Sequence, residues 1–169
     1  RLMPPKQKPG RSRQDYQTPP EFLEAVKRRL RIPWFSFDLA ASTDNHVADR
    51  WYDEQANALV QPWCLEPGDL ADMFGPWTWL NPPFANLRPW VAKAWEESQE
   101  GAYVAMLVPA AVGSNWWRDF VHRKVPVLFL NGRLTFVGEE NCYPKDLCLL
   151  LYSPWCVAGY EVWSWEDNK

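Results

Sequence analysis

Residues 77–84 read Trp77-Thr78-Trp79-Leu80-Asn81-Pro82-Pro83-Phe84, and the fold we expect depends on this stretch. Its first four residues are aromatic, β-branched or aliphatic, which is typical of a strand. Proline cannot donate a ladder hydrogen bond, so the proline pair turns the chain out of the sheet at Asn81. In α/β sheets, ligands bind beyond the carboxyl ends of the strands. Asn81 therefore stands where a binding site is expected.

The patterns on either side of this stretch alternate between strand and helix. Strands are predicted at residues 35–41, 77–80, 103–108, 126–130, 134–137 and 147–152. Helices are predicted to begin at Thr18, near Pro89 and at Ser114. In the first helix, Thr18 is the expected N-cap, Pro19 the first helical residue and Glu21 the partner in a capping box. The alternation predicts an α/β domain with a mainly parallel central sheet.

Length and charge favour a single domain behind a basic arm. At 169 residues, the chain is long enough to bury one core without disulfides or metals. The first thirteen residues contain five basic residues and no acidic one, although the net charge of the whole chain is −3. We expect residues 1–14 to form a disordered basic arm and residues 15–169 to form one domain.

The cysteines and histidines argue against a metal centre. Four cysteines without a C-x-x-C pair, together with two histidines, offer no zinc-binding pattern, so we expect no metal. The cysteines are expected to be reduced thiols of a cytoplasmic protein. No stretch is long and apolar enough to span a bilayer, so no membrane partner is expected.

The turn after residue 80 suits the chemistry of an exocyclic amine. Such an amine is a poor nucleophile, because its lone pair is delocalised into the base, and it needs acceptors aimed at both of its hydrogens. The Asn81 side chain and the Pro82 backbone each offer a carbonyl. Pro82 and Pro83 stiffen the turn, so these acceptors need little reorganisation. Phe84 supplies a face on which an extruded base can stack.

Three motifs together resemble the phage-encoded DNA N6-adenine methyltransferase family. The first is Asp15-Tyr16-Gln17-Thr18-Pro19-Pro20, the second Phe37-Asp38-Leu39-Ala40-Ala41-Ser42 followed by Asn45, and the third Trp79-Leu80-Asn81-Pro82-Pro83-Phe84. Weaker similarity continues through residues 107–110 and 132–136, so the resemblance covers roughly residues 15–152.

The resemblance implies a Rossmann-like methyltransferase fold, and a DNA methyltransferase, site-specific or loosely specific, in a bacterial or phage-infected cell. The implied donor is S-adenosylmethionine, with S-adenosylhomocysteine as product, and the implied acceptor is adenine in double-stranded DNA. The helix start at Thr18-Pro19 would receive the donor's carboxylate. Asp38 would pair with the donor's ammonium, beside small residues that leave room for the ligand. The expected cofactor-binding residues are Gln17, Thr18, Pro19, Asp38, Ala40, Ala41, Ser42, Asn45 and Asn57; the expected catalytic residues are Asn81, Pro82, Pro83 and Phe84.

The sequence departs from the family's pattern in one place. Where family members tend to carry an acidic pair, this chain has Ala56-Asn57. An acid at this level suits the ribose or adenine of the donor. Four residues remain candidates for that contact: Asn57, Asp53, Asp69 and Asp72.

No segment is long enough to form a separate target-recognition domain, so a few loops are expected to contact DNA. The candidates for phosphate contact or base stacking are Arg88, Trp116, Trp117, Arg118, Arg133 and Lys145. Such an enzyme would have loose specificity or would recognise a short site.

Two other interpretations stay open. The chain could methylate another nitrogen, such as N4 of cytosine, an RNA adenine or a protein glutamine, since similar turns serve those reactions. It could also be a catalytically inactive, methyltransferase-like module that binds nucleic acid. Binding of S-adenosylmethionine separates the enzymes from the inactive module, and assays with different acceptors separate the enzymes from each other.

Overall fold

The structure is a computed structural model, and it describes residues 15–64 and 77–166. The predicted basic arm at residues 1–14 lies outside the described residues, as do the ribose candidates Asp69 and Asp72.

A five-stranded mixed sheet forms the centre of the described fold. Its strands are β1 (Trp77–Leu80), β2 (Tyr103–Pro109), β3 (Pro126–Leu130), β4 (Leu147–Tyr152) and β5 (Gly159–Trp163). Their order across the sheet is β1-β2-β4-β3-β5. β1 pairs with β2, and β3 with β5, in parallel. β4 is antiparallel to both of its neighbours, β2 and β3.

The α/β class is confirmed, but the mainly parallel arrangement is not. Four strands point the same way and β4 alone is reversed, yet its central position makes two of the four neighbouring pairs antiparallel. The physical reason lies in the segment between β3 and β4, which contains no helix. Consecutive strands without a helical crossover pair in the antiparallel sense.

The predicted strand at residues 35–41 is present only as a short extended segment beside β1. The backbone N–H of Leu39 donates to Trp79 O at 2.9 Å, and that of Trp79 donates to Phe37 O at 2.8 Å. Asp38 forms isolated parallel bridges to Trp79 and Trp51. The segment therefore brings Asp38 to the carboxyl end of β1, next to the turn at Asn81.

Within the described residues, three α-helices cover the two faces of the sheet: α1 (Pro20–Leu30), α2 (Arg88–Gln99) and α3 (Asn115–Phe120). On one face, α2 and α3 bury residues such as Val91 and Trp117 against Val104 and Met106. On the other face, α1 packs against a second hydrophobic core. There it buries Phe22 among aromatic side chains that include Trp79 and Trp163. Among the described residues, no helix has the length and apolar character that a membrane crossing requires.

The predicted start of α1 is wrong in its details. The N-cap is Pro19 and no side chain caps the helix, so Pro20 is the first helical residue. Thr18 is buried, and its hydroxyl accepts a hydrogen bond from Asn81 instead of capping the helix. The cap predicted for α3 is confirmed, because Ser114 accepts a hydrogen bond from the backbone N–H of Trp117.

After β3, one predicted strand is absent and one observed strand was not predicted. Residues 134–137 form no strand. Their alternation of buried and exposed side chains arises because Leu134 and Phe136 pack inward from a loop. β5 was not predicted from the sequence; it is an edge strand in which only Trp163 is buried. An edge strand with so little buried surface lacks the apolar pattern that reveals a strand.

Candidate active site

A cavity of about 820 Å³ opens at the carboxyl end of β1 and of the neighbouring extended segment. This volume lies in the range of small-molecule sites. Seven of the nine predicted cofactor-binding residues line it: Thr18, Asp38, Ala40, Ala41, Ser42, Asn45 and Asn57. Asn81 and Pro83 of the predicted catalytic turn line it as well. The fold therefore brings two predicted sets of residues, far apart in the chain, to one cavity.

Asp38 is a buried carboxylate that faces this cavity. Its side chain is 3% exposed. Oδ1 accepts a hydrogen bond from Ala40 N at 3.2 Å, and Oδ2 accepts one from Val47 N at 3.0 Å. Desolvation nevertheless raises the pKa of Asp38 to about 6, against the lowering effects of these two N–H groups and of nearby His46. A cationic ligand that enters the cavity would therefore stabilise the ionised form of Asp38.

The part of the cavity wall formed by the described residues is acidic. Four of these residues carry a carboxylate: Asp15, Asp38, Asp53 and Glu54. Of the described residues that line it, none is a lysine or an arginine. Walls that carry charge of one sign raise the local concentration of ligands of the opposite sign. This arrangement favours a positively charged ligand over a phosphorylated one.

The amide of Asn81 is held in one orientation. Its Nδ2 donates to Tyr16 O at 2.7 Å and to Thr18 Oγ1 at 3.2 Å. A backbone carbonyl can only accept, so the amino end of the amide must face Tyr16. The carbonyl oxygen, Oδ1, consequently points away from this pair as a hydrogen-bond acceptor. Pro82, which follows, is buried and fixes the direction of the turn.

A cluster of four aromatic rings surrounds the end of the turn. The Phe84 ring lies 6.1 Å from Tyr16 and 5.5 Å from Tyr143, measured between centroids. Phe136 stacks on Tyr16 at 4.7 Å and contacts the other two rings. Tyr143 was not predicted to be a site residue. Its only signal was an aromatic residue in the loop between β3 and β4.

Comparison with known proteins agrees with this geometry. The family model for DNA N-6-adenine-methyltransferase (Dam) matches residues 6–148. The chain belongs to this family. The resemblance in the three motifs is thereby confirmed.

Two phage proteins named DNA N-6-adenine-methyltransferase are similar to this chain. The protein of Escherichia phage T1 is 25% identical over 138 residues, which are 82% of this chain and 53% of the relative. The protein of Haemophilus phage HP1 is 26% identical over 132 residues, 74% of this chain and 70% of the relative. The chain thus spans about half the length of the T1 protein.

In this member of the family, two of the predicted cofactor residues do not line the cavity. Gln17 is exposed, and its backbone carbonyl accepts a hydrogen bond from Val137 N at 3.0 Å. Pro19 is buried beneath the start of α1. Asn45, by contrast, lies at the rim, where its Nδ2 donates to Asp15 Oδ1 at 2.7 Å.

Two ribose candidates remain within the described residues. Asp53 and Asn57 both line the cavity. Asp53 Oδ1 accepts a hydrogen bond from Ala56 N at 2.8 Å, which fixes its carboxylate at the cavity wall. Asn57 adopts a left-handed backbone conformation with φ of 51°, which asparagine tolerates better than most residues. Within the residues that the structure describes, no group of three or more potential ligands could hold a metal ion.

The predicted DNA-contacting residues occupy different environments. Arg88 and Arg118 both bind Asp119, at 3.0 Å and 2.8 Å, and these bonds lower the pKa of that carboxyl group. Arg133 pairs with Asp146 at 3.5 Å, Lys145 is exposed and Trp116 is half-buried. Trp117 is 3% exposed and stacks on Phe129, so most of its ring packs inside the protein. Its contact with DNA stays a prediction.

Proposed function

We propose that the protein transfers a methyl group from S-adenosylmethionine to the N6 amino group of adenine in double-stranded DNA and releases S-adenosylhomocysteine. One observation carries the proposal: the oriented amide of Asn81 and the buried carboxylate of Asp38 line the same acidic cavity. Family membership supports the reaction, as do the names of the two phage relatives.

The residues of the cavity fit this donor. S-adenosylmethionine supplies a methyl group on a positively charged sulfur, and its amino-acid end carries an ammonium. Four carboxylates favour such a ligand electrostatically, and Asp38 would hold the ammonium. The small side chains of Ala40, Ala41 and Ser42 leave the backbone of this wall accessible to the ligand. Asp53 or Asn57 would contact the ribose.

The catalytic turn would prepare the acceptor. Asn81 Oδ1 and the carbonyl of Pro82 would accept hydrogen bonds from the two hydrogens of the adenine amine. These bonds localise the lone pair on nitrogen, so that the N–C bond can form as the S–C bond breaks and a proton leaves the nitrogen. Phe84, supported by Tyr16, Phe136 and Tyr143, would stack on the extruded base.

The strand directions and the exposed cations support two further proposals, one on the type of fold and one on the DNA contacts. Four sheet strands in one direction, with helices on both faces, are compatible with a Rossmann-like methyltransferase. The exposed cations Arg88, Arg118, Arg133 and Lys145 would contact phosphates, and half-buried Trp116 would stack at the margin. A few loop contacts would give loose specificity or a short recognition site.

Transfer of labelled methyl to unmethylated double-stranded DNA, with nucleoside analysis of the product, tests the function. The expected product is N6-methyl-2′-deoxyadenosine. The variant Asn81→Ala should bind S-adenosylhomocysteine with an unchanged Kd but lose about a hundredfold or more in kcat, because it removes one preorganised acceptor. Label in cytosine, RNA or peptide acceptors in place of DNA adenine would contradict the proposal. So would an absence of donor binding.

A further inference from the structure

Thr18 lies where the predicted catalytic turn meets the start of α1. It was expected to be the N-cap of this helix, but it precedes the N-cap. Its side chain is 4% exposed, and Oγ1 accepts a hydrogen bond from Asn81 Nδ2 at 3.2 Å. We propose that Thr18 is a positioning residue: together with the carbonyl of Tyr16, its hydroxyl holds the Asn81 amide so that Oδ1 faces the reacting amine. The identity of that amine rests on the proposed function.

Two acceptors are needed to fix an amide group in space. The torsion that rotates a terminal amide is broad, so one hydrogen bond leaves the amide free to swing about that contact. Tyr16 O takes one hydrogen of Asn81 Nδ2, and Thr18 Oγ1 can take the other. Their two directions define the amide plane, and with it the direction in which Oδ1 accepts. If either acceptor is lost, Oδ1 can point in a wider range of directions.

The acceptors themselves are held by the surrounding structure. Asp15, at one end of this segment, accepts a hydrogen bond from Asn45 at 2.7 Å. The Tyr16 ring stacks on Phe136, and Gln17 O accepts a hydrogen bond from Val137 N. Pro19 and Pro20 follow Thr18 and restrict the backbone there. Residues 15–18 thus form a rigid support that contacts the cavity rim, the β3–β4 loop and the catalytic turn.

The alternative role for Thr18 is direct contact with the donor's carboxylate, as the resemblance implies. Thr18 lines the cavity, and a hydroxyl that accepts from Asn81 retains a hydrogen of its own. The two roles have different kinetic signatures. A residue that binds the carboxylate affects the Kd of donor and product. A residue that orients Asn81 affects kcat and leaves that Kd unchanged.

The test replaces Thr18 with valine, which has nearly the same shape but no hydroxyl, and uses Thr18→Ser as the matched control. We expect kcat for DNA methylation to fall about tenfold in Thr18→Val, the usual effect of one lost hydrogen bond. The Kd of S-adenosylhomocysteine should remain within about twofold of the parent value. Thr18→Ser should restore kcat. Thr18→Ala removes the hydroxyl without adding atoms and serves the same purpose if the valine variant is unstable.

A second measurement does not depend on methyl transfer. The side-chain amide resonances of Asn81 can be identified by NMR, because they disappear in Asn81→Ala. In Thr18→Val these resonances should shift, and their hydrogens should exchange faster with water; in Thr18→Ser they should stay close to the parent positions. This readout reports the orientation of the amide even if the parent protein labels no adenine.

The outcomes separate the two proposals. A higher Kd with unchanged kcat in Thr18→Val would assign the hydroxyl to the donor's carboxylate and overturn the positioning role. Unchanged Asn81 resonances in a folded Thr18→Val protein would overturn it too. If the parent protein shows no adenine methylation but the Asn81 resonances respond as expected, the proposed function fails while the support of Asn81 by Thr18 stands.

Discussion

Donor binding should weaken steeply in mild acid because Asp38 must be ionised to hold an ammonium. Burial raises the pKa of Asp38 from 3.8 to about 6 in the donor-free protein. One pH unit below that pKa, about nine-tenths of the carboxyl groups are protonated, so the apparent Kd at pH 5 should be about tenfold higher than at pH 7.5. With an ordinary pKa of 3.8, the change at pH 5 would be less than about a tenth.

Isothermal titration calorimetry with S-adenosylhomocysteine between pH 5 and 7.5 measures this effect directly. The α-amino group of the ligand titrates above this range, so it remains protonated throughout. Two control variants assign the effect to one carboxyl group. Asp38→Asn should bind weakly at every pH without the acid slope. His46→Gln should keep the slope and move its midpoint upward, because His46 lowers the pKa of Asp38. A Kd that stays constant from pH 7 to pH 5 in the parent would refute the reasoning.

The same raised pKa makes a prediction about stability. A carboxyl group whose folded pKa lies above its unfolded value stabilises the fold below about pH 4 and loses this contribution as the pH rises through about 6. Two pKa units correspond to roughly 3 kcal/mol at neutral pH. The amide introduced by Asp38→Asn would accept only one of the two N–H bonds, which costs about 1 kcal/mol. The donor-free variant should therefore unfold at a Tm equal to or above that of the parent at pH 7.5, although it binds donor poorly.

Three further predictions concern the acceptor base, the core and DNA. Phe84→Ala should lower kcat/KM for DNA about ten- to hundredfold, because a stacking surface worth about 1–3 kcal/mol is lost; Phe84→Tyr should retain activity, and equal activity of the alanine variant would exclude stacking. Trp117→Ala should cost about 3–5 kcal/mol in the free energy of unfolding, measured by urea titration, because it empties part of the core. If the Trp117→Ala protein has normal stability but binds DNA weakly, the result would support the predicted contact of Trp117 with DNA. Arg133→Ala should reduce the slope of log K against log salt for DNA binding by about one, whereas Asp146→Asn should not; an unchanged slope for Arg133→Ala would remove it from the proposed phosphate contacts.

Much of the site could be predicted from the sequence because local chemistry encodes it. Two adjacent prolines end a strand wherever they occur, so the placement of Asn81 beyond β1 follows from residues 77–84 alone. Ser114 was found as a cap for the same reason, since a cap involves residues only three positions apart. The family motifs added Asp38 and the small residues after it, which the structure places on the cavity wall.

Other features depend on surfaces that meet only in the folded chain. Whether Trp117 faces the core or the solvent is decided by the position of Phe129 on a neighbouring strand. β4 is reversed because the segment after β3 folds back without a helix, and its residues 134–137 mimic a strand only because alternate side chains pack inward. Composition and periodicity describe one segment at a time, so they contain no information on such pairings.

The sequence by itself therefore determined the α/β class, the turn at Asn81 that ends β1 and the acidic residue beside it; the catalytic role of that turn stays a prediction. Only the tertiary structure decided the partners of these groups. Thr18 was expected to cap a helix, yet its hydroxyl bonds to Asn81, which lies 63 residues away along the chain. A threonine hydroxyl can accept a hydrogen bond from a backbone N–H of the helix or from a side-chain amide equally well. The choice between them is made by the packing of α1 and the extended segment against β1, which buries Thr18 beside the turn.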